Sequence, residues 1–183
     1  MSTLTATQEV IPAGTWQLDS AHSRVGFAVE YMAGTFHGTF SPFEATLDVG
    51  EDGTAALVGS VRVESIQVQD ENLSTHLLSP EFFDAEQAPE ISFASAAFAP
   101  AGKNLRTSGE LTIKGVSLPV ELNGTIGGPL VDPYDRERIN LKLEATVDRS
   151  AFGLDWNAPL SSGEPALGQD VTVTAELALV KRA

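Results

Sequence analysis

The sequence predicts an all-β protein whose eight antiparallel strands curl into a barrel, with one short helix at an end. Three observations carry that expectation. Large apolar side chains alternate with polar ones over most of the chain, the period of two that marks a half-buried strand. Nearly all of these runs are joined by short turns, which makes neighbours antiparallel. One stretch alone, Asp70 to Ser95, breaks the alternation with a helical pattern. Each strand has one apolar face to cover, and eight such strands cover it by closing on themselves. A two-sheet sandwich shows the same alternation; the long second and third strands favour the barrel.

The elements follow in order. Residues 1–13 read as a loose tail ahead of a single domain over 14–183, and Gly14 to Asp19 as a short extended segment. The first strand, 23–31, puts Val25, Phe27, Val29 and Tyr31 on one face. The second, 34–49, carries Phe36, Gly38 and Phe40, then switches to Phe43, Ala45, Leu47 and Val49. That change of parity predicts a bulge or bend at Pro42. After a turn at Glu51-Asp52-Gly53-Thr54, the third strand, 55–68, places Leu57, Gly59, Val61, Val63 and Ser65 inward.

Asp70 can cap a helix in which Leu73, Leu77 and Leu78 share one side, with Glu71 suited to the first turn. Ser79-Pro80 ends it, and Phe82 and Phe83 follow. Such an interruption either plugs the end of a sheet or gates a cavity. The fourth strand, 90–99, holds Ile91 and Phe93; the fifth, 105–114, turns Gly109, Leu111 and Ile113 inward. In the sixth, 117–126, Pro119 marks an edge or bulge. The glycine-rich run from Gly124 to Pro129 reads as a turn, and Gly127 to Arg136 as a loop. Leu141, Leu143, Ala145 and Val147 define the seventh strand, 138–148. A long irregular stretch precedes the eighth, 170–181.

Composition narrows the function. Against 25 acidic residues stand 11 basic ones, a formal net charge of -14, which opposes binding to nucleic acid or anionic lipid surfaces. With no cysteine there is no disulfide, thiolate metal site or cysteine nucleophile. The first fourteen residues contain no Lys or Arg and no apolar run, unlike a signal peptide. No segment approaches the ~18 apolar residues of a transmembrane span. A cytoplasmic protein is the expectation.

Catalytic chemistry is hard to find. His22, His37 and His76 lie far apart with no companion at metal-ligand spacing, so no metal or cofactor is expected. Asp19 and His22 read as a local hydrogen bond, and Asp84, Glu86 and Glu90 as a solvated face. The run from Gly124 has no lysine or helix start behind it and is no phosphate cradle. Arg149 is expected to be tied to backbone carbonyls or an acid. By contrast, nine phenylalanines against two tyrosines and two tryptophans supply bulky interior surface with few polar handles. A barrel of eight strands is near the size at which the interior is just filled or holds one small ligand.

Several motifs, in one order, resemble the YceI-like family of lipocalin-like barrels. They are Trp16, Asp19, His22-Ser23 and Phe27; Gly38-Thr39-Phe40; Leu77, Ser79-Pro80-Glu81-Phe82-Phe83-Asp84; and Pro89, Ile91, Phe93 and Ser95. Gly109, Leu111-Thr112-Ile113-Lys114-Gly115-Val116, Pro119-Val120, and Arg149-Ser150, Phe152-Gly153-Leu154 and Trp156 complete the set, about residues 14 to 181.

The resemblance implies a binder of polyisoprenoids and related amphiphiles, and a homodimer. The first expectation is therefore a carrier with an isoprenoid or fatty ligand in the barrel. Inward parity picks the ligand-binding candidates: Phe27, Val29, Tyr31, Phe36, Phe40, Val63, Leu73, Leu77, Phe82, Phe83, Phe93, Leu111, Ile113, Leu143 and Trp156. The alternatives are an enzyme acting on a lipid or quinone, with Tyr31 and His37 as its polar candidates, and a filled barrel serving as an interaction module. The helix is expected at one mouth, with one phenylalanine of the Phe82–Phe83 pair entering the barrel and the other packed under the helix.

Overall fold

The structure is a computed structural model that describes residues 11–182. Eleven strands form it: β1 (Gly14–Leu18), β2 (Arg24–Tyr31), β3 (Gly34–Phe40), β4 (Phe43–Val49), β5 (Ala55–Arg62), β6 (Ile66–Gln67), β7 (Glu90–Ala101), β8 (Asn104–Ile113), β9 (Val116–Val131), β10 (Glu137–Asp148) and β11 (Leu167–Lys181). One α-helix, α1 (Glu71–Leu78), lies between β6 and β7.

Three pairs of these strands are single runs broken by a bend, which restores the expected eight. β1 and β2 lie end to end along β11, with Leu18 opposite Leu179 and Val25 opposite Ala175. Between them Asp19 caps a short 3-10 turn, Ser20–His22, by accepting from the Ala21 N–H at 3.2 Å. β3 pairs with β2 and β4 with β1, the break falling at Ser41-Pro42 where the parity changes. β5 and β6 pair with β4 and β3 respectively. Every run then pairs antiparallel with the next, and β11 returns to the first, so the sheet closes. The extended segment at Gly14–Leu18 is thus part of the ring, joining β4 to β11.

Three expectations are corrected. Val63 and Ser65 do not continue a strand: β5 stops at Arg62, and Val63–Ser65 form a 3-10 turn. Val63 is fully buried there, and its N–H donates to the Pro89 carbonyl at 2.9 Å. The glycine-rich run is strand, not turn or loop, for β9 continues to Val131 and pairs with β10 up to Glu137. Gly128 and Pro129 sit opposite the single Ile139 as a bulge, with Gly128 at φ +85°. β8 ends opposite Thr125, so Pro129 lies on an unpaired edge where its missing N–H costs nothing. β11 also starts at Leu167, three residues early. The expected tail falls largely on residues outside those described; of its last part, Ile11 is buried and the Pro12 carbonyl accepts from Trp16 Nε1 at 3.0 Å.

The core is unevenly distributed along the barrel. At the end where the chain enters β1, Trp16, Leu47, Leu141 and Leu179 are fully buried, with Leu57 and Leu105 close to it. Arg138 braces this end from outside, donating to Asp132 at 2.6 Å and to Asp19 at 2.8 Å. At the other end α1 lies across the strands, its N-terminus capped by Asp70, which accepts from the Asn72 and Leu73 N–H groups at 2.8 and 3.3 Å. Leu77 of α1 is buried, and Leu73 and Leu78 are half-buried against the core.

β9 and β10 pair only between Asn123/Glu144 and Val131/Glu137, and beyond that point they diverge. Just before the pairing ends, Gly124 lets β9 pass close against β10, because any Cβ there would collide with the Lys142 carbonyl.

Candidate ligand-binding cavity

Under α1 the barrel holds a cavity of about 330 Å³. The inward parity of β2 supplies Phe27, Val29 and Tyr31 to its wall, and β3 supplies Phe36 and Phe40. Leu111 and Ile113 come from β8, Leu73 and Leu77 from α1. Phe82 and Phe83 line it too, but in different company. Phe83 enters the barrel, its ring centroid 6.4 Å from Phe27 and 6.1 Å from Phe40 in edge contacts. Phe82 packs under the helix, 5.0 Å from His76 and 5.2 Å from Trp156. The pair does not lie in extended chain: both residues sit in a turn after α1, where the Phe82 and Phe83 N–H groups donate to the Ser79 and Leu77 carbonyls, each at 3.0 Å, and the turn sends the two rings different ways.

A second void of about 140 Å³ lies deeper. Phe93 and Leu143 line it, and Leu111 borders both. Of the residues picked by parity, Val63 alone borders neither void, since the 3-10 turn buries it in packed core. His37 is exposed on the outer face of β3, one residue out of phase with Phe36.

Other lining residues escaped the sequence reading for two different reasons. Val25, Val61, Ile91, Val147, Val171 and Val173 have the right parity and were readable from it. Phe152, Leu154, Arg149 and His76 sit in the 3-10 turn, the following loop or the helix, where no period of two exists.

Three ionisable side chains border the outer cavity: Tyr31, His76 and Arg149. His76 is held edge-on between Phe82 and Trp156, and its Nε2 lies 3.0 Å from a Glu81 carboxylate oxygen. Arg149 is buried, and among the described residues its donors meet backbone carbonyls rather than a carboxylate. Its Nε donates to the Gly168 carbonyl at 2.7 Å, and Nη1 to those of Leu154 and Trp156 at 2.6 and 2.9 Å. Nη2 reaches the Leu167 carbonyl at 3.4 Å. Burial lowers the Arg149 pKa, partly opposed by the charges of Asp155 and Asp148. Arg149 thus clamps the loop that carries Trp156 to the start of β11. Lys114, in the β8–β9 turn, ties the same rim by donating to the Pro80 carbonyl at 2.8 Å. Among the described residues no group of three or more His, Cys, Asp or Glu is placed to hold a metal.

A closed, eight-stranded antiparallel barrel with a helix across one end and an apolar interior defines a lipocalin-like barrel protein. The chain belongs to the YceI-like domain family, whose model matches residues 16–179. It is 26% identical to a UPF0312 protein of Staphylococcus aureus strain USA300 over 161 residues, 86% of this chain and 92% of that protein. Its fold is similar to that of BcnA from Burkholderia cenocepacia, with a TM-score of 0.75, 22% identity, and 88% of this chain and 98% of that one covered. It also resembles a domain from Saccharophagus degradans described as polyisoprenoid-binding and implicated in plant cell wall breakdown. There the TM-score is 0.68 and the identity 12%, covering 91% of this chain and 98% of that one. No helix among the described residues is long and apolar enough to cross a membrane.

Proposed function

We propose that this protein is a carrier that holds the long apolar tail of an isoprenoid or other lipid-like molecule inside the barrel. The observation that carries the reading is the 330 Å³ cavity walled by Phe, Leu, Ile and Val. An apolar cavity of ~150 Å³ accommodates benzene, so this one has room for about a dozen carbons. Each buried CH₂ contributes ~0.8 kcal/mol, so about a dozen carbons contribute ~10 kcal/mol before the cost of association. Subtracting ~4 kcal/mol for that cost leaves affinity on the order of tens of micromolar without any charged contact. The polyisoprenoid-binding description of the Saccharophagus domain points the same way.

The alternative of an enzyme finds less support. Among the described residues no Ser, Thr, Asp or Glu borders the outer cavity, and its arginine is occupied by backbone carbonyls. The size of the void also speaks against a filled barrel acting only as an interaction module.

Trp156 borders the cavity while Trp16 is fully buried, which provides a test. Titration of a detergent-dispersed polyprenol should change the tryptophan emission saturably, and Trp156→Phe should remove most of the change. An emission spectrum unmoved by polyprenols and fatty acids alike would defeat the proposal.

A further inference from the structure

The deeper void has its own construction. Five residues border both chambers: Val25, Val61, Ile91, Leu111 and Val173. They form a neck between the outer space of about 330 Å³ and the inner one of about 140 Å³. Four of the five are β-branched and therefore stiff at χ1, so the neck resists both collapse and widening.

The inner space exists because inward positions carry unusually small side chains. Ala45 and Gly59 face each other across β4 and β5, and Ala175 of β11 lies between Leu143 and Val25. All of these border the inner chamber. Below it Leu57 and Leu177 form a floor, backed by fully buried Trp16, Leu47 and Leu179. The inner chamber matches the ~150 Å³ that holds a six-carbon ring.

From this geometry we infer that the inner chamber is a terminal subsite for the far end of an apolar tail, and that the neck and floor limit tail length. The inference rests on the carrier reading and adds to it a specificity. A tail that stops above the neck leaves the inner chamber empty. Each further carbon passing the neck tightens binding about fourfold, the equivalent of ~0.8 kcal/mol per CH₂, until the end meets Leu57 and Leu177. Beyond that length no more apolar surface is buried and affinity levels off or falls.

The test is a series of all-trans prenols, lengthened one isoprene unit at a time, titrated against the full chain. Affinity should climb and then reach a plateau. Ala175→Leu fills the inner chamber and should bring the plateau to a shorter prenol; Ala45→Leu, on β4 across β1 from β11, is the second variant should the first fail to fold. Because each new side chain enters existing space, the melting temperature should hold or rise, whereas overpacking a filled core would lower it. A plateau at the same length in a folded filled variant would overturn the inference while leaving the carrier reading intact. So would affinity that keeps rising through the longest prenols, as when a tail leaves between the diverging β9 and β10. Failure of every prenol to bind would overturn both.

Discussion

Replacing Arg149 by methionine probes how the rim of the cavity is held. The side chain keeps its approximate volume and loses all its donors, so the loss can be followed carbonyl by carbonyl. Leu167 O keeps a partner, since Asn157 Nδ2 also donates to it at 2.7 Å. Trp156 O and Gly168 O are part-buried and can take water in place of the guanidinium. Leu154 O is buried and is left alone. One orphaned buried carbonyl costs ~1–3 kcal/mol, and two charge-assisted bonds exchanged for water add about 1 kcal/mol more. Relief of the buried, unpaired charge offsets part of this. The net destabilisation should be about 2 kcal/mol, or roughly 4–8 °C in melting temperature for a domain this size. The loop carrying Trp156 is released at the same time, so the red edge of the emission should grow and polyprenol affinity should fall. Melting curves and emission spectra of purified Arg149→Met check both. A melting temperature within a degree of the parent, with unchanged emission, would show that the clamp holds nothing and that the reasoning is wrong.

Other substitutions separate the remaining parts. Phe83→Asp puts a charge among Phe27, Phe40 and the cavity and should abolish polyprenol uptake with the circular dichroism kept; retained uptake would contradict its placement in the barrel. Phe82→Ala should instead cost about 3–5 kcal/mol of stability, measured by denaturant unfolding, because it empties the space between His76 and Trp156. Gly124→Ala should prevent the close crossing of β9 and β10 and lower the yield of folded protein, an effect that Gly53→Ala, with open space at its Cβ, should not share to the same degree. Hydrogen bonding from Arg138 holds the Asp132 carboxyl well below its ordinary value of 3.8. A carboxylate held low stabilises the fold above that ordinary value and loses its contribution as pH falls through the lower, folded one. The parent should therefore lose stability on acidification below about pH 4. Asp132→Asn should be less stable at neutral pH and show a shallower loss over that acid range in pH-dependent melting.

Much of this architecture is legible in the sequence because a half-buried strand writes its period of two directly into residue order. Val25 to Tyr31 and Leu141 to Val147 could be placed on the inner wall without coordinates, and the parity change at Pro42 located the bend between β3 and β4. Legibility fails where local chemistry and tertiary context disagree. Gly127, Gly128 and Pro129 carry turn propensity, yet pairing with β10 and an open edge on the other side keep them in a strand. Val63 has strand parity, yet a 3-10 turn takes it out of the ladder. Arg149 and His76 reach the cavity from a loop and a helix, elements whose orientation relative to the barrel no periodicity records. The inner chamber was written in plain view as Ala45, Gly59 and Ala175, but a small inward residue signals space only when its opposite neighbours are known to be small or distant as well.

Native mass spectrometry of the purified full chain, followed by organic extraction of what it carries, reads out directly whether the barrel holds an apolar tail. Protein expressed in a bacterial host should show an adduct of defined mass that extraction releases as an isoprenoid or fatty species, and Phe83→Asp should lack it. Protein that is uniformly free of adducts, and that stays so after incubation with polyprenols and fatty acids, would contradict the account.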